Sequence, residues 1–416
     1  MHKSNIAGMS ISFLFDNTDK ISLPALKTLN LKKDLVRTLA ISGDNTIPNL
    51  SKETGYSIPT ITKLISELME EGIVHNYGQI DTNGGRKPSA YGINPQAFYY
   101  LGIEVKRYSV SIGLQGADNK MVKISENIDY SLENNRDSLN KLCEIINTFI
   151  EQSNIPREKI VGACVNLSGR INSREGFSYS YFYFEETPLA KIIGDQISVK
   201  TYLENDSRAM TYGEYHCGMV TNEQEVLFIN LSWGLGMGII CEGQLYYGKS
   251  GYSGEFGHSP VFDNDVLCQC GKKGCMETEV SGWALERKIK EKLQAGASSI
   301  LTKTKKIDKI CMDDIIDAVT EYEDVLVIET IEEMGEKLGR YLAMLVNIFN
   351  PEMVIIGGSL AAVNEYMKLP LQTAVKRHSL NLVNQDVKYK TSKLGAMAGI
   401  TGACYIVRDK FLSPGR

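Results

Sequence analysis

No stretch of the sequence is long and apolar enough for a transmembrane helix, because no run of 18 apolar residues occurs. Nor does charge of one sign dominate: 45 Lys and Arg stand against 50 Asp and Glu, a formal net charge of -5. This balance gives no whole-chain electrostatic reason to bind nucleic acid, so any DNA contact must be local. Low-complexity segments and tandem short repeats are also absent. We therefore expect a soluble, folded protein with no membrane partner.

Signs of secretion are equally scarce. The nine cysteines are an odd number in a long chain, which does not suit a disulfide framework. The apolar run at residues 6–15 follows only one early lysine, Lys3, and no small-residue cleavage pattern comes after it. We expect reduced thiols in a cytoplasmic protein, with residues 6–15 forming a helix or tail packed on the protein.

Residues 31–95 show the rhythm of three helices followed by a hairpin. The apolar positions recur at the spacing of a helical core face: Leu31, Leu35, Leu39, Ile61, Leu64, Ile65 and Leu68. A short second helix is predicted over 47–53 and ends at Gly55, which can adopt the left-handed conformation of a tight turn. Ser57 can cap the third helix, and Pro59 suits its first turn, where a missing N–H costs nothing. The pattern is typical of a helix-turn-helix.

A hairpin extends this pattern to a winged helix-turn-helix. A strand is predicted over 73–77, a glycine-rich turn over 83–88 and a returning strand through Tyr91 and Ile93. The candidate DNA-binding residues lie at the start and outward face of the third helix and at the wing tip: Ser57, Pro59, Thr60, Thr62, Lys63, Ser66, Arg86 and Lys87. The cations among them can reach phosphates or a narrow minor groove. A three-helix packing module with a hairpin is the alternative, since its hydrophobic spacing would be the same.

After Pro95 the pattern changes to strands that alternate with helices. Strands are predicted over 99–105, 109–115, 160–167, 226–231, 237–241 and 353–356, and helices over 137–152 and 325–349. This alternation indicates an α/β fold with mixed or parallel sheets. The remaining stretch of about 320 residues is too long for one core, so we expect two α/β lobes with a cleft between them.

One cluster of potential metal ligands differs in spacing from the other cysteines. His258, Cys268, Cys270 and Cys275 place one imidazole and three thiolates within 18 positions, separated by glycines that allow a tight turn. This spacing matches a closed four-ligand tetrahedral site, and we predict a structural zinc ion. The alternative is that cysteines pack as small apolar residues, which is our interpretation of the other six: Cys143, Cys164, Cys217, Cys241, Cys311 and Cys404.

Three carboxylates and one amide accompany this cluster. Asn205 and Asp206 follow an apolar strand, at the strand end where ligands of open α/β sheets bind. Glu255 precedes His258 by three residues, and Glu277 follows the last cysteine of the cluster by two. If His258 binds zinc through one nitrogen, the other can donate to a ligand while the carboxylates accept from its hydroxyl groups. The set suits a neutral polyol such as a sugar, with a solvated acidic rim as the alternative.

These residues resemble the signature of the ROK family, which comprises sugar kinases and sugar-responsive repressors. The resemblance covers about residues 97–410 and rests on Asn205-Asp206, on the segments 254–258 and 268–277, and on Asn350-Pro351 with Gly357-Gly358. It implies an actin-like, two-lobed sugar kinase fold, with the sugar held in the cleft at Asn205, Asp206, Glu255, His258 and Glu277. It also implies zinc on His258 and the three cysteines. In the kinase members, the residue at the Asp206 position is the general base acting on the sugar hydroxyl.

The winged helix places the resemblance in the repressor branch, which includes xylose and N-acetylglucosamine regulators. We therefore predict an α/β, actin-like two-lobed domain preceded by a winged helix-turn-helix. Residues 1–95 would form an N-terminal tail and the DNA-binding domain, and residues 96–206 with 396–416 the first α/β lobe. Residues 207–395 would form the second α/β lobe with the zinc site.

The phosphate-binding loops depart from those of the kinases that the chain resembles. Kinases of this type carry Asp-x-Gly-Gly-Thr in the first strand pair, whose glycines let backbone N–H groups approach phosphate. Residues 102–108 have no glycine pair and carry bulky side chains in the turn. In the second loop, normally Gly-Thr-Gly-x-Gly, the glycines remain, but Leu235 replaces the hydroxyl donor. We expect no kinase activity, even though Asp206 is present.

The predicted function is a sugar-responsive transcriptional regulator, a repressor, whose lobes bind a sugar or sugar phosphate and whose winged helix binds operator DNA as a homodimer or homotetramer. One alternative is an ATP-dependent sugar kinase with an appended DNA-binding module; another is a regulator whose lobes dock a transport protein. An aromatic stretch shapes the sugar pocket or forms a core or interface stripe: Tyr179, Tyr181, Phe182, Tyr183 and Phe184.

Overall fold

The computed structural model describes residues 22–79, 88–184 and 186–413. The chain divides into two compact units, one formed by Met1–Leu167, Gly176–Leu203 and Ala403–Arg416, the other by Ser168–Glu175 and Glu204–Gly402. The residues before 96 group with the first unit, and the three-part domain division stays a prediction. Residues 6–15, Arg86 and Lys87, for which the sequence made specific predictions, lie outside the described residues.

A winged helix-turn-helix forms the N-terminal part of the first unit, as the sequence predicted. Its elements are α1 (Leu23–Ser42), β1 (Asn45–Thr46), α2 (Ile47–Thr54), α3 (Ile58–Glu70), β2 (Val74–Gln79) and β3 (Ser89–Ile93). The three strands pair antiparallel in the order β1-β3-β2. Ser57 caps α3 as predicted, because its hydroxyl accepts a hydrogen bond from the Thr60 N–H at 3.4 Å. The buried Lys32 of α1 reaches Glu67 and Glu71 at 2.8 and 2.7 Å, which ties α1 to α3.

A five-stranded sheet lies in the first unit, except for two residues at the end of one strand, Glu204 and Asn205, which belong to the second unit. Its strands are β4 (Tyr99–Val105), β5 (Ser109–Gly116), β6 (Met121–Asp129), β7 (Ile160–Leu167) and β10 (Thr201–Asn205), in the order β10-β7-β4-β5-β6. β4 runs parallel to β7 and antiparallel to β5. The other elements of this stretch are α4 (Arg136–Gln152), β8 (Ile171–Asn172), β9 (Phe177–Ser178) and α5 (Leu189–Ile197). The bounds of β4 and β7 are those that the sequence predicted.

The second unit contains a mixed five-stranded sheet. Its strands are β11 (Val226–Leu231), β12 (Leu235–Cys241), β13 (Gln244–Leu245), β14 (Met353–Gly357) and β15 (Lys388–Thr391), in the order β13-β12-β11-β14-β15. β11, β14 and β15 are parallel, whereas β12 is antiparallel to β11. Because parallel strands need crossover connections, helices separate β11, β14 and β15 along the chain.

The helices of this part of the chain are α6 (Asp206–Cys217), α7 (Gly282–Gln294), α8 (Leu301–Thr304), α9 (Met312–Thr320), α10 (Val325–Phe349), α11 (Glu365–His378), α12 (Asn381–Asn384) and α13 (Ala398–Leu412). The long helix α10 has the bounds predicted from its apolar stripe. Its buried side chains join those of β11 and β14 in one core, which includes Leu227, Ile229, Ile331, Leu338 and Ile356. This core also contains Phe256 and Met276, the chain neighbours of the candidate site residues Glu255 and Glu277.

Candidate functional site

The four predicted metal ligands lie together in the second unit. Their ligand atoms all lie within 4.8 Å of one another, the one such cluster among the described residues. The His258 Nδ1 atom lies 3.4 Å from Cys268 Sγ, and Cys270 Sγ lies 3.6 Å from Cys275 Sγ. A tetrahedral zinc ion with bonds of about 2.0 to 2.3 Å separates its ligand atoms by roughly 3.3 to 3.8 Å. The donor set and these two separations therefore fit zinc, and the longer separations, up to 4.8 Å, would shorten around a bound ion.

Two glycine turns build this metal-ligand loop. Cys268 N donates to Lys272 O at 2.8 Å, and Gly271, with a φ of 85°, closes the turn through its own bond to Cys268 O. Gly274 has a φ of 73°, and a Cβ atom there would lie 2.1 Å from the carbonyl oxygen of Phe262. Both turns therefore need glycine, as the sequence spacing predicted. Burial raises the pKa of the Cys268 and Cys275 thiols, and a bound cation would favour their thiolate forms.

The second nitrogen of His258 faces a carboxylate. Its Nε2 atom lies 3.7 Å from Oε2 of Glu255, whose side chain is 40% exposed. With Nδ1 directed at the cysteines, Nε2 is the nitrogen that can donate to a ligand hydroxyl. His258 and Glu255 are thus brought together as the sequence analysis expected.

Glu277 is buried and already has protein partners. Its Oε2 accepts a hydrogen bond from Leu235 N at 3.1 Å, and its Oε1 lies 3.6 Å from Cys268 Sγ. This carboxylate therefore links the metal-ligand loop to β12. Each carboxylate oxygen has two acceptor positions, so the bond to Leu235 still leaves capacity for a ligand.

Asn205 and Asp206 lie at the junction of β10 and α6. The Asn205 side-chain oxygen caps α6 by accepting from Arg208 N at 3.2 Å, and its Nδ2 donates to Gly169 O at 3.1 Å. Asp206 Oδ1 accepts from the backbone N–H of Ser207 at 2.7 Å. Burial raises the pKa of the Asp206 carboxyl group. Among the described hydrogen bonds and ion pairs, none joins these two residues directly to Glu255, His258 or Glu277.

Asn205 and Asp206 at the start of α6, and Glu255 and His258 on their loop, nevertheless belong to elements that pack against the same strand, β12. A Cβ atom at Gly236 would lie 2.0 Å from Ser207 Oγ of α6, and one at Gly238 would lie 1.9 Å from Thr211 Oγ1. On the loop that carries Glu255 and His258, a Cβ atom at Gly254 or Gly257 would lie 2.2 or 2.1 Å from a carbonyl oxygen of β12. Glycine at these positions allows α6 and the loop to pack closely against the same strand.

A buried polar network beside Asn205 was missed by the sequence analysis. Glu204 and Arg208 form an ion pair of 2.7 Å, and both side chains are at most 3% exposed. The hydroxyl groups of Ser173 and Tyr247 also donate to Glu204, at 2.7 and 2.9 Å. Glu204 lies on β10 and Arg208 on α6, so their spacing of four is not that of a pair on one helical face and gave no signal. Their burial could not be read from that spacing.

Protein partners occupy backbone groups in both kinase-like loops. In the first, Glu104 is buried and lies 3.2 Å from Lys106 Nζ, and Lys106 N donates to Ser109 O at 2.8 Å. In the second, the Leu235 N–H is donated to Glu277. Gly236 and Gly238 of the second loop serve the packing of α6 described above, and a Cβ atom at Gly234 would lie 2.8 Å from Glu277 Oε2. In each loop, at least one backbone N–H group is therefore bonded within the protein.

The predicted DNA-contacting face of α3 is exposed. Pro59, Thr62, Lys63 and Ser66 are exposed, and the Lys63 side chain is 75% exposed. Thr62 and Ser66 donate their hydroxyl protons to backbone carbonyls four residues earlier. Ile58, which the sequence analysis did not single out, is 53% exposed beside them. The face thus combines apolar groups with one cation, while Ser57 and Thr60 form the helix cap.

The aromatic stretch of the first unit borders a cavity of about 180 Å³ lined by Phe177, Ser178, Tyr179, Phe182, Tyr183, Thr187 and Leu189. Phe182 is buried, whereas Tyr179 and Tyr183 are 48% and 59% exposed. Both interpretations of these aromatic residues stay open. None of the described helices is long and apolar enough to cross a membrane.

Comparisons with known proteins give a consistent result. The model of the ROK family matches residues 100–410. The xylose repressor of Caldicellulosiruptor bescii is 27% identical over 394 residues, which cover 94% of this chain and 96% of that protein. The crystal structure of a ROK family transcriptional regulator, a homolog of the E. coli MLC protein, has a TM-score of 0.78 at 24% identity and covers 93% of this chain and 97% of that chain. A ROK family glucokinase from Streptomyces griseus, in complex with glucose and AMPPNP, has a TM-score of 0.66 at 23% identity and covers 75% of this chain and 99% of that chain. The last two likenesses show the fold, including its kinase-like lobes.

The metal cluster gives the first testable prediction. Cys270→Ala should reduce bound zinc from one ion per chain to none, because three ligands hold the ion far less tightly than four. The midpoint of thermal unfolding should fall by about 5 to 10 °C, since the loop loses its organising ion. Zinc is measured by elemental analysis of the purified protein.

Cys217→Ala is the matched control, because Cys217 is exposed and lies outside the cluster. It should keep one zinc ion per chain and the original midpoint. Full zinc occupancy in the Cys270→Ala protein would show that the cluster is not the metal site.

Proposed function

The chain belongs to the ROK family, and from this premise we propose that it is a sugar-responsive transcriptional repressor of carbohydrate-utilisation genes. The observation that carries the proposal is the presence, in one chain, of a winged helix with an exposed recognition face and of the sugar-binding positions of the family. The xylose repressor named above matches almost the full length of the chain, including the winged helix. A cytoplasmic location follows from this function.

The effector is a neutral sugar or a sugar phosphate. Asn205, Asp206, Glu255, His258 and Glu277 supply an amide, three carboxylates and an imidazole, which accept from and donate to hydroxyl groups. The carboxylates disfavour a strongly anionic ligand at the hydroxyl-reading positions.

Zinc would be held by His258, Cys268, Cys270 and Cys275 and would act as a structural ion, since four protein ligands leave no open coordination position. In this arrangement the protein residues do the recognition. His258 would present Nε2 to the sugar, and Glu277 would keep the loop attached to β12.

DNA binding is assigned to α3 and the wing. The exposed Ile58, Pro59 and Thr62 supply apolar groups suited to the methyl group of thymine in the major groove, and Lys63 supplies a contact to phosphate. Arg86 and Lys87 at the wing tip would add phosphate or minor-groove contacts. Two winged helices would bind half-sites about 34 Å apart, or a multiple of that distance.

A sugar kinase with an appended DNA-binding module is the second candidate, favoured by the retained Asp206 and by the kinase-like fold. We propose that phosphoryl transfer has been lost, because the N–H of Leu235 and the turn after β4 are occupied by protein partners. ADP production from Mg-ATP with a bound sugar, abolished by Asp206→Asn, would replace our proposal with this candidate.

Sugar binding is tested by thermal unfolding of the zinc-loaded protein with D-xylose, D-glucose, N-acetyl-D-glucosamine and their phosphates. A ligand at 100 times its Kd stabilises the folded protein by about 2.7 kcal/mol. Asp206→Asn should lower the affinity of the stabilising sugar at least about 10-fold, because a hydroxyl loses its charged acceptor. Since burial raises the pKa of Asp206, the neutral amide should leave the unfolding midpoint of the free protein unchanged or higher.

The raised pKa also sets a pH dependence. The carboxylate is the form that accepts hydrogen bonds from the sugar, so the affinity for sugar should fall as the pH falls through the raised pKa, above the ordinary value of about 3.9.

The control for Asp206→Asn is Asp308→Asn, at an exposed site in the same unit, which should bind sugar normally. Equal affinity of Asp206→Asn and the original protein would remove Asp206 from the site.

DNA binding gives the next prediction. With a DNA fragment selected by the full chain from a random pool, Lys63→Ala should weaken binding and reduce the slope of log K against log salt by about 1 per protomer. Lys376→Ala, an exposed lysine of the second unit, should change neither quantity. An unchanged salt slope in Lys63→Ala would mean that α3 does not approach the DNA backbone.

A homodimer or homotetramer would supply the paired winged helices. Four exposed apolar side chains of α10 and the α12 region form one patch: Met344, Ile348, Leu380 and Leu382, at 55%, 69%, 65% and 80% exposure. Leu380 N donates to the Asn347 side chain at 3.0 Å, which joins the two segments. An exposed apolar patch of this kind favours association of proteins in water. We propose that it is the surface through which two copies of the chain bind each other.

The double variant Ile348→Glu and Leu382→Glu should therefore be monomeric in sedimentation equilibrium, with unchanged zinc content. Tyr322→Glu and Val325→Glu, at two similarly exposed apolar positions near the start of α10, serve as the control. An oligomer of undiminished stability in the double variant would place the interface elsewhere.

A further inference from the structure

Glu204 occupies an unusual position for a charged residue, buried beside the two residues assigned to sugar binding at the end of β10. Its side chain is 1% exposed, and one carboxylate oxygen accepts from Arg208 Nε at 2.7 Å, Ser173 Oγ at 2.7 Å and Asn205 N at 2.8 Å. The other oxygen accepts from the Tyr247 hydroxyl at 2.9 Å. All four of these partners belong to the second unit.

Arg208 extends this network. Its guanidinium group donates to Gly251 O at 2.8 Å and to Ile171 O at 3.2 Å, and it lies 5.5 Å from the centre of the Tyr247 ring. The network therefore joins three segments of the second unit: residues 168–175, the junction of β10 and α6, and residues 247–251, which lead to Glu255.

Asn205 is bonded on both sides to this framework. Its side-chain oxygen accepts from Arg208 N, and its Nδ2 donates to Gly169 O in the segment 168–175. One acceptor position of its oxygen is left for a ligand, and the amide also lies within hydrogen-bonding reach of the Asp206 carboxylate. The direction of these remaining groups is set by the residues that Glu204 and Arg208 hold in place.

We propose that Glu204, Arg208 and Tyr247 are positioning residues that hold Asn205, Asp206 and the segment leading to Glu255 in the geometry that reads sugar hydroxyls. This inference rests on the proposed sugar-binding function and assigns to that site three residues that do not contact the sugar. A buried ion pair is weak evidence for stability, since an apolar pair of the same volume often stabilises a fold equally well. Its fixed hydrogen-bond geometry is what orients neighbouring groups.

The Tyr247→Phe variant tests the proposal with the least change to the structure, because it removes one hydroxyl group and keeps the ring beside Arg208. In the zinc-loaded full chain, titration calorimetry with the sugar that stabilises the original protein, from D-xylose, D-glucose and N-acetyl-D-glucosamine, should give a Kd about 10-fold higher. Zinc content should stay at one ion per chain. Tyr246→Phe is the matched control: Tyr246 is its exposed neighbour, and the Kd should not change.

A second measurement distinguishes positioning from a purely structural role. It is the dependence of the variant's loss of sugar affinity on individual sugar hydroxyl groups. With monodeoxy analogues of the same sugar, the penalty of Tyr247→Phe should vanish for the analogue that lacks the hydroxyl read by Asn205 or Asp206, and persist for the others. Glu204→Gln keeps the shape of the side chain and should show the same pattern of penalties. It tests the proposal independently if Tyr247→Phe folds poorly.

Wild-type affinity in both Tyr247→Phe and Glu204→Gln would overturn the proposal, as would an equal penalty for every deoxy analogue. Failure of the original protein to bind any of the three sugars or their phosphates would instead overturn the proposed function, and this inference with it. Sugar binding by the original protein therefore shows whether the proposed function or only this inference has failed.

Discussion

The close approach of two segments to the backbone of β12 is the constraint on which the candidate site depends. Gly236 and Gly238 let α6 lie against the strand, and Gly254 and Gly257 do the same for the loop that carries Glu255 and His258. Any side chain at these positions would meet backbone or side-chain atoms at 1.9 to 2.2 Å. Because Glu277 also bonds to Leu235 N, all five sugar-binding candidates are attached to this one strand or to elements packed on it.

This constraint explains why the second loop keeps its glycines while the phosphate-binding function is proposed to be lost. In a kinase those glycines would expose backbone N–H groups to phosphate. Here Gly236 and Gly238 are needed for packing against Ser207 and Thr211, and the Leu235 N–H is bonded to Glu277. Glycine spacing in the sequence therefore does not by itself distinguish a phosphate loop from a packing contact.

Local signals predicted much of the fold. Ser57 caps α3, and β4, β7 and α10 have their predicted bounds, because capping and hydrophobic periodicity depend on residues close in the sequence. The edge strand β6 was not predicted, since it is exposed on one side and alternates with many polar residues. The cluster of His258, Cys268, Cys270 and Cys275 was predicted from spacing alone, and the four residues lie together in the structure. The network of Glu204, Arg208 and Tyr247 was missed because the burial of Glu204 depends on partners 31 and 43 residues away along the chain.

The central claim is that sugar binding lowers the affinity of the protein for operator DNA. Because the two equilibria are linked, DNA must then lower the affinity for the sugar by the same factor. The most direct measurement is the sugar Kd of the full, zinc-loaded chain with and without saturating amounts of the DNA fragment that it selects. The account predicts a Kd between about 5-fold and 150-fold higher on DNA. Identical values with and without DNA would contradict it.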